Sequence, residues 1–165
     1  MARATGGVCV VTGARPYTHP VHVAGLGCAR GCGVETLGDL LDRALAEVGL
    51  GQRDLAAVAS IDLKGDEGGL LALAEHLNVP VGWYSAQALN RYHSRLTDPS
   101  EVVFQAVGCY GVAEGAALAH AEALTGDTAE LLLPKRKNAH ATVALARAYR
   151  DGDEPESTLP PREAR

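Results

Sequence analysis

Residues 21–33, VHVAGLGCARGCG, begin as a short β-rich run and then break into a series of glycines. These glycines are Gly25, Gly27, Gly31 and Gly33. Because glycine has no side chain and tolerates positive φ, a turn built from them can bring backbone N–H groups close to an anionic ligand, with Arg30 at its rim. The alternative is that the glycines serve only the tight packing of a strand against a helix, and the sequence leaves both interpretations open.

The composition limits what the chain can be. Its 165 residues, of which 47% are hydrophobic, suffice for one domain with a sizeable core. A formal net charge of −5, with no Lys/Arg-rich helix, argues against nucleic-acid binding. The sequence contains neither an apolar run of about 18 residues nor a signal-peptide pattern, so we expect a cytoplasmic protein, outside the membrane, whose cysteines stay reduced.

The chain divides into three segments. Residues 1–20 predict an N-terminal extension or an edge strand, and residues 21–150 predict the folded domain. The last segment, DGDEPESTLPPREAR at 151–165, carries five acids and three prolines without apolar periodicity. It therefore predicts a disordered acidic tail.

Strand-like and helix-like patterns alternate through the folded segment. Apolar residues between 37 and 48 recur at helical spacing, and the run LAAVASI at 55–61 is typical of a buried strand. Further patterns predict a strand near 22–24, helices over 67–77, 85–90, 98–107 and 112–124, and strands over 79–84, 131–133 and 141–146. Because the last two strands flank a short connection, we expect a hairpin. The predicted fold class is α/β: a three-layer α/β/α domain with a mostly parallel sheet and a C-terminal antiparallel hairpin.

Three polar clusters follow predicted strands. Ligands of open α/β sheets bind beyond the carboxyl ends of the strands. The clusters are the glycine loop with Arg30, then Asp62, Lys64, Asp66 and Glu67, and finally Lys135, Arg136, Lys137 and Asn138. Whether the third cluster shares a cleft with the others depends on the strand order, which the sequence does not give.

Each cluster also has a structural interpretation. Asp66 and Glu67 are typical of helix starts, where carboxylates interact with free N–H groups. Lys64 could pair with Asp66, and a basic run such as Lys135 to Lys137 is usually a solvated turn. These interpretations stay open beside ligand binding.

Metal and cofactor chemistry is disfavoured. Cys28 and Cys32 form a C-x3-C pair, which is two ligands short of a structural zinc or iron–sulfur site, and the histidines are scattered. The glycine loop resembles a dinucleotide fingerprint but places its third glycine one residue late, and Asp62 lies too far along the chain to bind a ribose. The chain has no G-x-S-x-G elbow, which disfavours serine hydrolases. We expect no metal and no cofactor.

Four motifs occur in a characteristic order: VAGLGCARGC, SIDLKGDEGGLLALAEHL, DPSEVVFQAVGCYGVAEGAAL and LLLPKRKNAHATVALAR. Together they resemble the cobalamin-biosynthesis CobE/CbiG C-terminal domain family over residues 20–150. That family occurs as the C-terminal domain of a larger cobalt-precorrin-5A hydrolase and as a short stand-alone protein, and the length of this chain fits the stand-alone form.

The resemblance implies a function in corrin-ring synthesis. The expected ligand is a precorrin or hydrogenobyrinic-acid-like tetrapyrrole, held by a carrier, a chaperone or an accessory protein of ring contraction. The alternative is a hydrolase that removes the two-carbon fragment from a ring-contracted, precorrin-5A-type lactone, and a nucleotide-binding enzyme is a third possibility. Other corrin-pathway enzymes, and a second copy packed through the Ala-rich helix 112–124, stay open as partners.

Several residues match polar positions of the family motifs: Glu67, Ser100, Glu101 and Glu114. If the chain is catalytic, Glu67 or Glu114 would transfer the proton; helix capping and surface solvation are the alternative. The predicted ligand-binding set is Gly25, Gly27, Cys28, Arg30, Gly31, Lys64, Asp66, Glu67, Ser100, Glu101, Gly108, Glu114, Lys135, Lys137 and Asn138.

Overall fold

The computed structural model describes residues 19–28, 31–62, 68–97, 99–109 and 111–150. The predicted acidic tail and residues 1–18 of the predicted extension lie outside these ranges. The first strand starts at His19, a few residues before the strand pattern recognised in the sequence.

Five strands and five helices make up the described part of the chain. The strands are β1 His19–Cys28, β2 Leu55–Ile61, β3 Val81–Tyr84, β4 Glu130–Lys137 and β5 Ala141–Arg150. The helices are α1 Val34–Glu47, α2 Gly68–Leu77, α3 Ala86–Asn90, α4 Glu101–Val107 and α5 Val112–Thr125. Short 3₁₀ turns at Gln52–Asp54 and His93–Arg95 complete the pattern.

The five strands form one sheet in the order β3-β2-β1-β5-β4. Strands β1, β2 and β3 pair in parallel, whereas β5 is antiparallel to both β1 and β4. Strand β4 therefore points the same way as β1. The predicted α/β class and C-terminal hairpin are confirmed, and the strand order adds that this hairpin packs directly against β1.

Helices cover both faces of the sheet, as the three-layer prediction requires. On one face, α1 and α2 bury leucines such as Leu37, Leu41 and Leu73 against the sheet. On the other face, α5 presents alanines, among them Ala116 and Ala117, to the sheet. Alternate residues of each strand face opposite layers, so the two cores are separate.

The small side chains of α5 let its backbone approach the sheet closely. A Cβ built on Gly25 would lie 1.8 Å from the carbonyl oxygen of Ala113 and 2.7 Å from the amide nitrogen of Ala117. On β3, a Cβ on Gly82 would lie 2.5 Å from Nδ1 of His120. Glycine at position 25 is therefore a packing requirement, and a side chain at position 82 would displace the His120 ring.

Candidate functional site

The topology brings three connections to one edge of the sheet. Strands β1, β2 and β3 end at Cys28, Ile61 and Tyr84, and the connections to the following helices start there. Cys28 pairs with Ala141, the first residue of β5, so the β4–β5 turn lies beside the end of β1. We call this side of the molecule the carboxyl edge: the ends of β1, β2 and β3 together with the turn at 138–140.

Four of the predicted ligand-binding residues lie outside the described part of the chain: Arg30, Lys64, Asp66 and Glu67. Their roles stay predictions. Asp62, which precedes this group, is exposed directly after β2. The connections that carry the four residues begin at the carboxyl edge because they leave β1 and β2 there.

The glycines of the first motif have different roles. Gly25 is buried beneath α5, and a Cβ on Gly27 would lie 2.7 Å from Oγ1 of Thr142 and 3.6 Å from Cβ of Val112. The packing interpretation therefore accounts for Gly25, which is covered by helix rather than open to a ligand, whereas Gly27 is partly exposed and its ligand role stays a prediction. Gly31 is different, because it is exposed and has a φ of +81°, a conformation that favours glycine.

The predicted ligand-binding residue Cys28 faces the core. Cys28 and Cys32 are both buried in the cluster formed with α1 and α2. The thiol of Cys32 donates to the carbonyl oxygen of Gly33 over 3.8 Å. Close packing of this loop on α2 explains the burial, because a Cβ on Gly69 would lie 2.1 Å from the carbonyl oxygen of Cys32.

The basic cluster of the last motif divides into residues with different partners. The guanidinium of Arg136 pairs with Glu47, the last residue of α1, at 3.1 Å. Asn138 shapes the hairpin turn, since its Oδ1 accepts from the amides of His140 and Ala141 at 2.8 Å each. Lys137, at the end of β4, is exposed at the carboxyl edge.

Glu114 joins three segments through a buried carboxylate. Glu114 lies in the first turn of α5 and is 3% exposed. Oε1 accepts from the amide of Thr97 at 2.8 Å, and Oε2 accepts from the Thr97 hydroxyl at 2.5 Å and from the amide of Lys135 at 2.8 Å. We call these three residues the Glu114 clamp.

A β-bulge makes the Lys135 amide available to the clamp. Leu133 pairs with Leu145 and Arg136 pairs with Val143, so two residues of β4 face one residue of β5. A bulge of this kind takes a main-chain group out of the regular ladder and turns it in a new direction. The amide of Lys135 lies in this bulge and donates to Glu114.

Helix α4 follows Thr97 of the Glu114 clamp in sequence and exposes apolar surface to solvent. The Ser100 side chain caps it by accepting from the amide of Val103 at 3.2 Å, and Gly108 ends it with a φ of +89°. Ser100 therefore caps the start of α4, and Gly108 caps its end. Glu101 is exposed in the first turn. Val102 is 79% exposed.

Both ends of α4 are attached near the carboxyl edge. Thr97, shortly before the helix, is held by the Glu114 clamp at the start of α5. At the other end, the Asn90 side chain donates to the carbonyl oxygen of Gly108 at 2.7 Å, and a Cβ on Gly108 would lie 3.3 Å from Cβ of Ala86. Since α3 starts directly after β3, α4 lies beside the carboxyl edge.

A second glutamate of α5 forms a similar set of contacts, which no sequence pattern indicated. Glu122 accepts from the Tyr92 hydroxyl at 2.9 Å, from Arg95 at 3.0 Å and from the amide of Ala129 at 2.8 Å. Burial raises the pKa of Glu122, but these hydrogen bonds together outweigh it and leave the pKa below its ordinary value. Burial and the bond to Glu122 raise the pKa of Tyr92 to about 12. We call these four residues the Glu122 clamp.

His120 and Tyr84 form a half-buried pair between α5 and β3. The Tyr84 hydroxyl lies 2.7 Å from Nδ1 of His120, and the two rings meet edge to face. Burial lowers the pKa of His120 and raises the pKa of Tyr84. No sequence signal pointed to this pair, because its members lie 36 residues apart.

The described ranges of the chain hold neither a candidate metal site nor a membrane-spanning helix. Within them, no group of three or more His, Cys, Asp or Glu residues could hold a metal ion. Likewise, none of the helices described above is both long and apolar enough to cross a membrane.

Known proteins resemble the chain along most of its length. The family model described as cobalamin synthesis G C-terminus matches residues 22–146. Protein CobE of Sinorhizobium sp is 48% identical over 124 residues, which cover 75% of this chain and 78% of that protein. Cobalt-precorrin-5A hydrolase of Priestia megaterium is 35% identical over 130 residues, which cover 79% of this chain but 33% of the hydrolase.

A solved structure shares the fold. The crystal structure of CobE, a protein from the cobalamin (vitamin B12) biosynthetic pathway, has a TM-score of 0.76 and 47% sequence identity, and the match covers 78% of this chain and 91% of that one. The resemblance given by the four sequence motifs is thus confirmed. The family model and the 48% identical relative show that the chain belongs to the cobalamin-biosynthesis family of CobE and the CbiG C-terminus.

Proposed function

We propose that this protein binds a precorrin or hydrogenobyrinic-acid-like intermediate at the carboxyl edge and acts as a carrier or accessory protein of corrin-ring synthesis. One observation carries the proposal: a cationic strand end, two helix N-termini without side-chain caps and an exposed apolar residue all lie at one edge of the sheet. The fold that places them there is shared with CobE. The membership in a cobalamin-biosynthesis family supplies the ligand class.

The chemistry of such a ligand matches this edge. A corrin precursor has carboxylate side chains around a broad apolar ring, so its site needs anion-binding groups and an apolar surface. Helices α1 and α5 start at this edge behind Gly33 and Gly111, which offer no capping side chain, so their first N–H groups suit carboxylates. Lys137 adds a positive charge, and Val102 of α4 adds apolar surface.

The second candidate function is hydrolysis of the ring-contracted lactone, which the 35% identity to cobalt-precorrin-5A hydrolase favours. Of its two candidate proton-transfer groups, Glu67 lies outside the described residues. The other, Glu114, is buried and accepts three hydrogen bonds from the protein. This arrangement argues against proton transfer by Glu114 and so favours the carrier function over hydrolysis.

The test is to add hydrogenobyrinic acid, and separately the ring-contracted lactone, to the purified protein. Co-elution of pigment with protein, without a change in pigment mass, is the expected result. Loss of a two-carbon unit from the lactone would instead establish the hydrolase. If neither compound is retained or altered, both functions are wrong.

A pair of single-charge variants locates the binding surface. Lys137→Ala removes a charge at the carboxyl edge, whereas Arg53→Ala removes an exposed charge just before β2, at the opposite edge. Since an exposed charge pair contributes about 0.2–1 kcal/mol, we expect Lys137→Ala to weaken pigment binding about two- to fivefold, with the effect fading at high salt. Equal weakening by both variants would argue against the carboxyl edge.

A further inference from the structure

Glu114 is an unusual residue for its position. It lies in a helix whose other buried positions are mainly alanine, and burying a carboxylate is unfavourable unless hydrogen bonds compensate for the lost water. Here two main-chain amides and one hydroxyl supply that compensation. The carboxylate therefore serves to hold the segments that donate to it.

The two segments held by Glu114 both lead to the carboxyl edge. Thr97 lies three residues before Ser100, the cap of α4, and so fixes the start of the helix that exposes Val102. Lys135 lies in the bulge of β4, two residues before Lys137 and the hairpin turn. One carboxylate thus fixes the positions of an apolar surface and of a cationic strand end.

We infer that Glu114 is a positioning residue for the ligand: its carboxylate holds the start of α4 and the end of β4 against the first turn of α5, and so sets the geometry of the carboxyl edge. This inference rests on the proposed function. It assigns no proton transfer to Glu114, because both carboxylate oxygens are engaged by protein donors.

The Glu122 clamp is the matched control. Glu122 lies eight residues further along α5, also accepts three hydrogen bonds, and holds the Tyr92–Arg95 segment and the residue before β4. Because β4 runs parallel in direction to β1, its start lies at the opposite edge of the sheet. Loss of either clamp should loosen the protein, but only the Glu114 clamp borders the proposed site.

The experiment compares Glu114→Gln with Glu122→Gln. Glutamine preserves the size of the side chain but presents an amide N–H where the carboxylate accepted from a protein donor. We expect both variants to melt at lower temperature, and Glu114→Gln alone to bind hydrogenobyrinic acid about tenfold more weakly, measured by absorbance titration well below both melting temperatures. Thr97→Val, which removes one of the three donors, should weaken binding by a smaller factor and provides the test if Glu114→Gln does not fold.

Each other outcome overturns a different statement. If the wild-type protein retains no pigment, the proposed function fails and the positioning role fails with it. If the wild type binds and Glu114→Gln binds equally well, or Glu122→Gln loses as much affinity, only the positioning role is wrong. If the wild type cleaves the lactone and Glu114→Gln keeps its affinity but loses turnover, Glu114 is a catalytic residue instead.

Discussion

The two ends of α5 each use a glutamate to bind neighbouring segments, yet the two clamps are built differently. Glu122 is partly exposed and includes the guanidinium of Arg95 among its partners. Glu114 is almost fully buried and takes its hydrogen bonds from Thr97 and from the amide of Lys135. Both glutamates hold main chain, but the end with Glu122 adds a partly exposed ion pair, whereas the end with Glu114 uses only uncharged donors directly behind the carboxyl edge.

Gly25→Ala should have the largest effect on stability, because it disrupts the packing of the end of α5 that carries Glu114. The new Cβ would meet main-chain atoms of Ala113 and Ala117, which cannot move without displacing the helix. We expect the free energy of unfolding to fall by about 3 kcal/mol or more in urea denaturation, at the upper end for overpacked cores. Gly38→Ala is the control: its Cβ would meet only Leu73 at 3.7 Å, and alanine should stabilise α1 by about 0.5–1 kcal/mol. Unchanged stability of Gly25→Ala would contradict the packing role of this glycine.

Glu122→Gln should have the next largest effect and should change the acid response of the protein. Removing the carboxylate leaves partly buried donors poorly paired, so we expect a loss of about 1–3 kcal/mol near neutral pH. The pKa of Glu122 is lowered in the folded protein. Its carboxylate therefore contributes fully to stability above pH 4.5, the ordinary pKa, and this contribution is lost as the pH falls through the folded-state pKa. Urea midpoints of wild type and variant should therefore converge in acid. A constant difference across pH would contradict this assignment.

His120→Gln should have a smaller effect, confined to mildly acidic pH. Burial lowers the pKa of His120 in the folded protein, so below the ordinary value of 6.5 the unfolded chain takes up a proton first. The stability contribution of neutral His120 is complete above 6.5 and falls with pH below it. Melting temperatures between pH 8 and pH 5 should decline less in the variant than in the wild type. Parallel curves would show that His120 does not titrate differently on folding.

Val102→Ser should have the smallest effect on stability and a selective effect on binding. The side chain is 79% exposed, so we expect a change within about 0.5 kcal/mol, as for most surface substitutions. If α4 contacts the apolar ring, pigment affinity should fall about two- to fivefold. Tyr149→Ser, at a residue 38% exposed near the end of β5 and opposite Pro20 at the start of β1, should leave affinity unchanged. If both variants bind the pigment as tightly as the wild type, α4 does not contact the ligand.

Elements with strong local patterns were predicted well. The helical spacing of apolar residues between 37 and 48 corresponds to α1, and the run at 55–61 corresponds to β2. The strand order was not predictable, because inserting β5 beside β1 depends on contacts between segments more than 100 residues apart, such as Gly27 with Thr142. The position of the β4–β5 turn beside the end of β1 follows from that order alone.

The site shows where sequence patterns are ambiguous. A missing side chain at Gly25 suits a ligand or a helix equally well, and only the position of α5 distinguishes them. Glu114 was a proton-transfer candidate because it matches a polar position of the family motifs, and no local motif indicated its hydrogen-bond partners, which lie 17 and 21 residues away. Glu122 gave no signal for the same reason. An acidic residue within an otherwise alanine-rich, buried helix was the one available clue.

Among the described strands, β4 is the outermost on its side of the sheet, and Pro134 is one of the two residues of its bulge. Proline offers no N–H, and the bulge interrupts the row of main-chain groups that an incoming strand would need. The side of β4 that faces away from β5 is therefore a poor template for strand addition, which disfavours fibril-like growth of concentrated protein along it. Extension of the sheet from one copy into the next across β4 is therefore a disfavoured route to a homodimer of this chain.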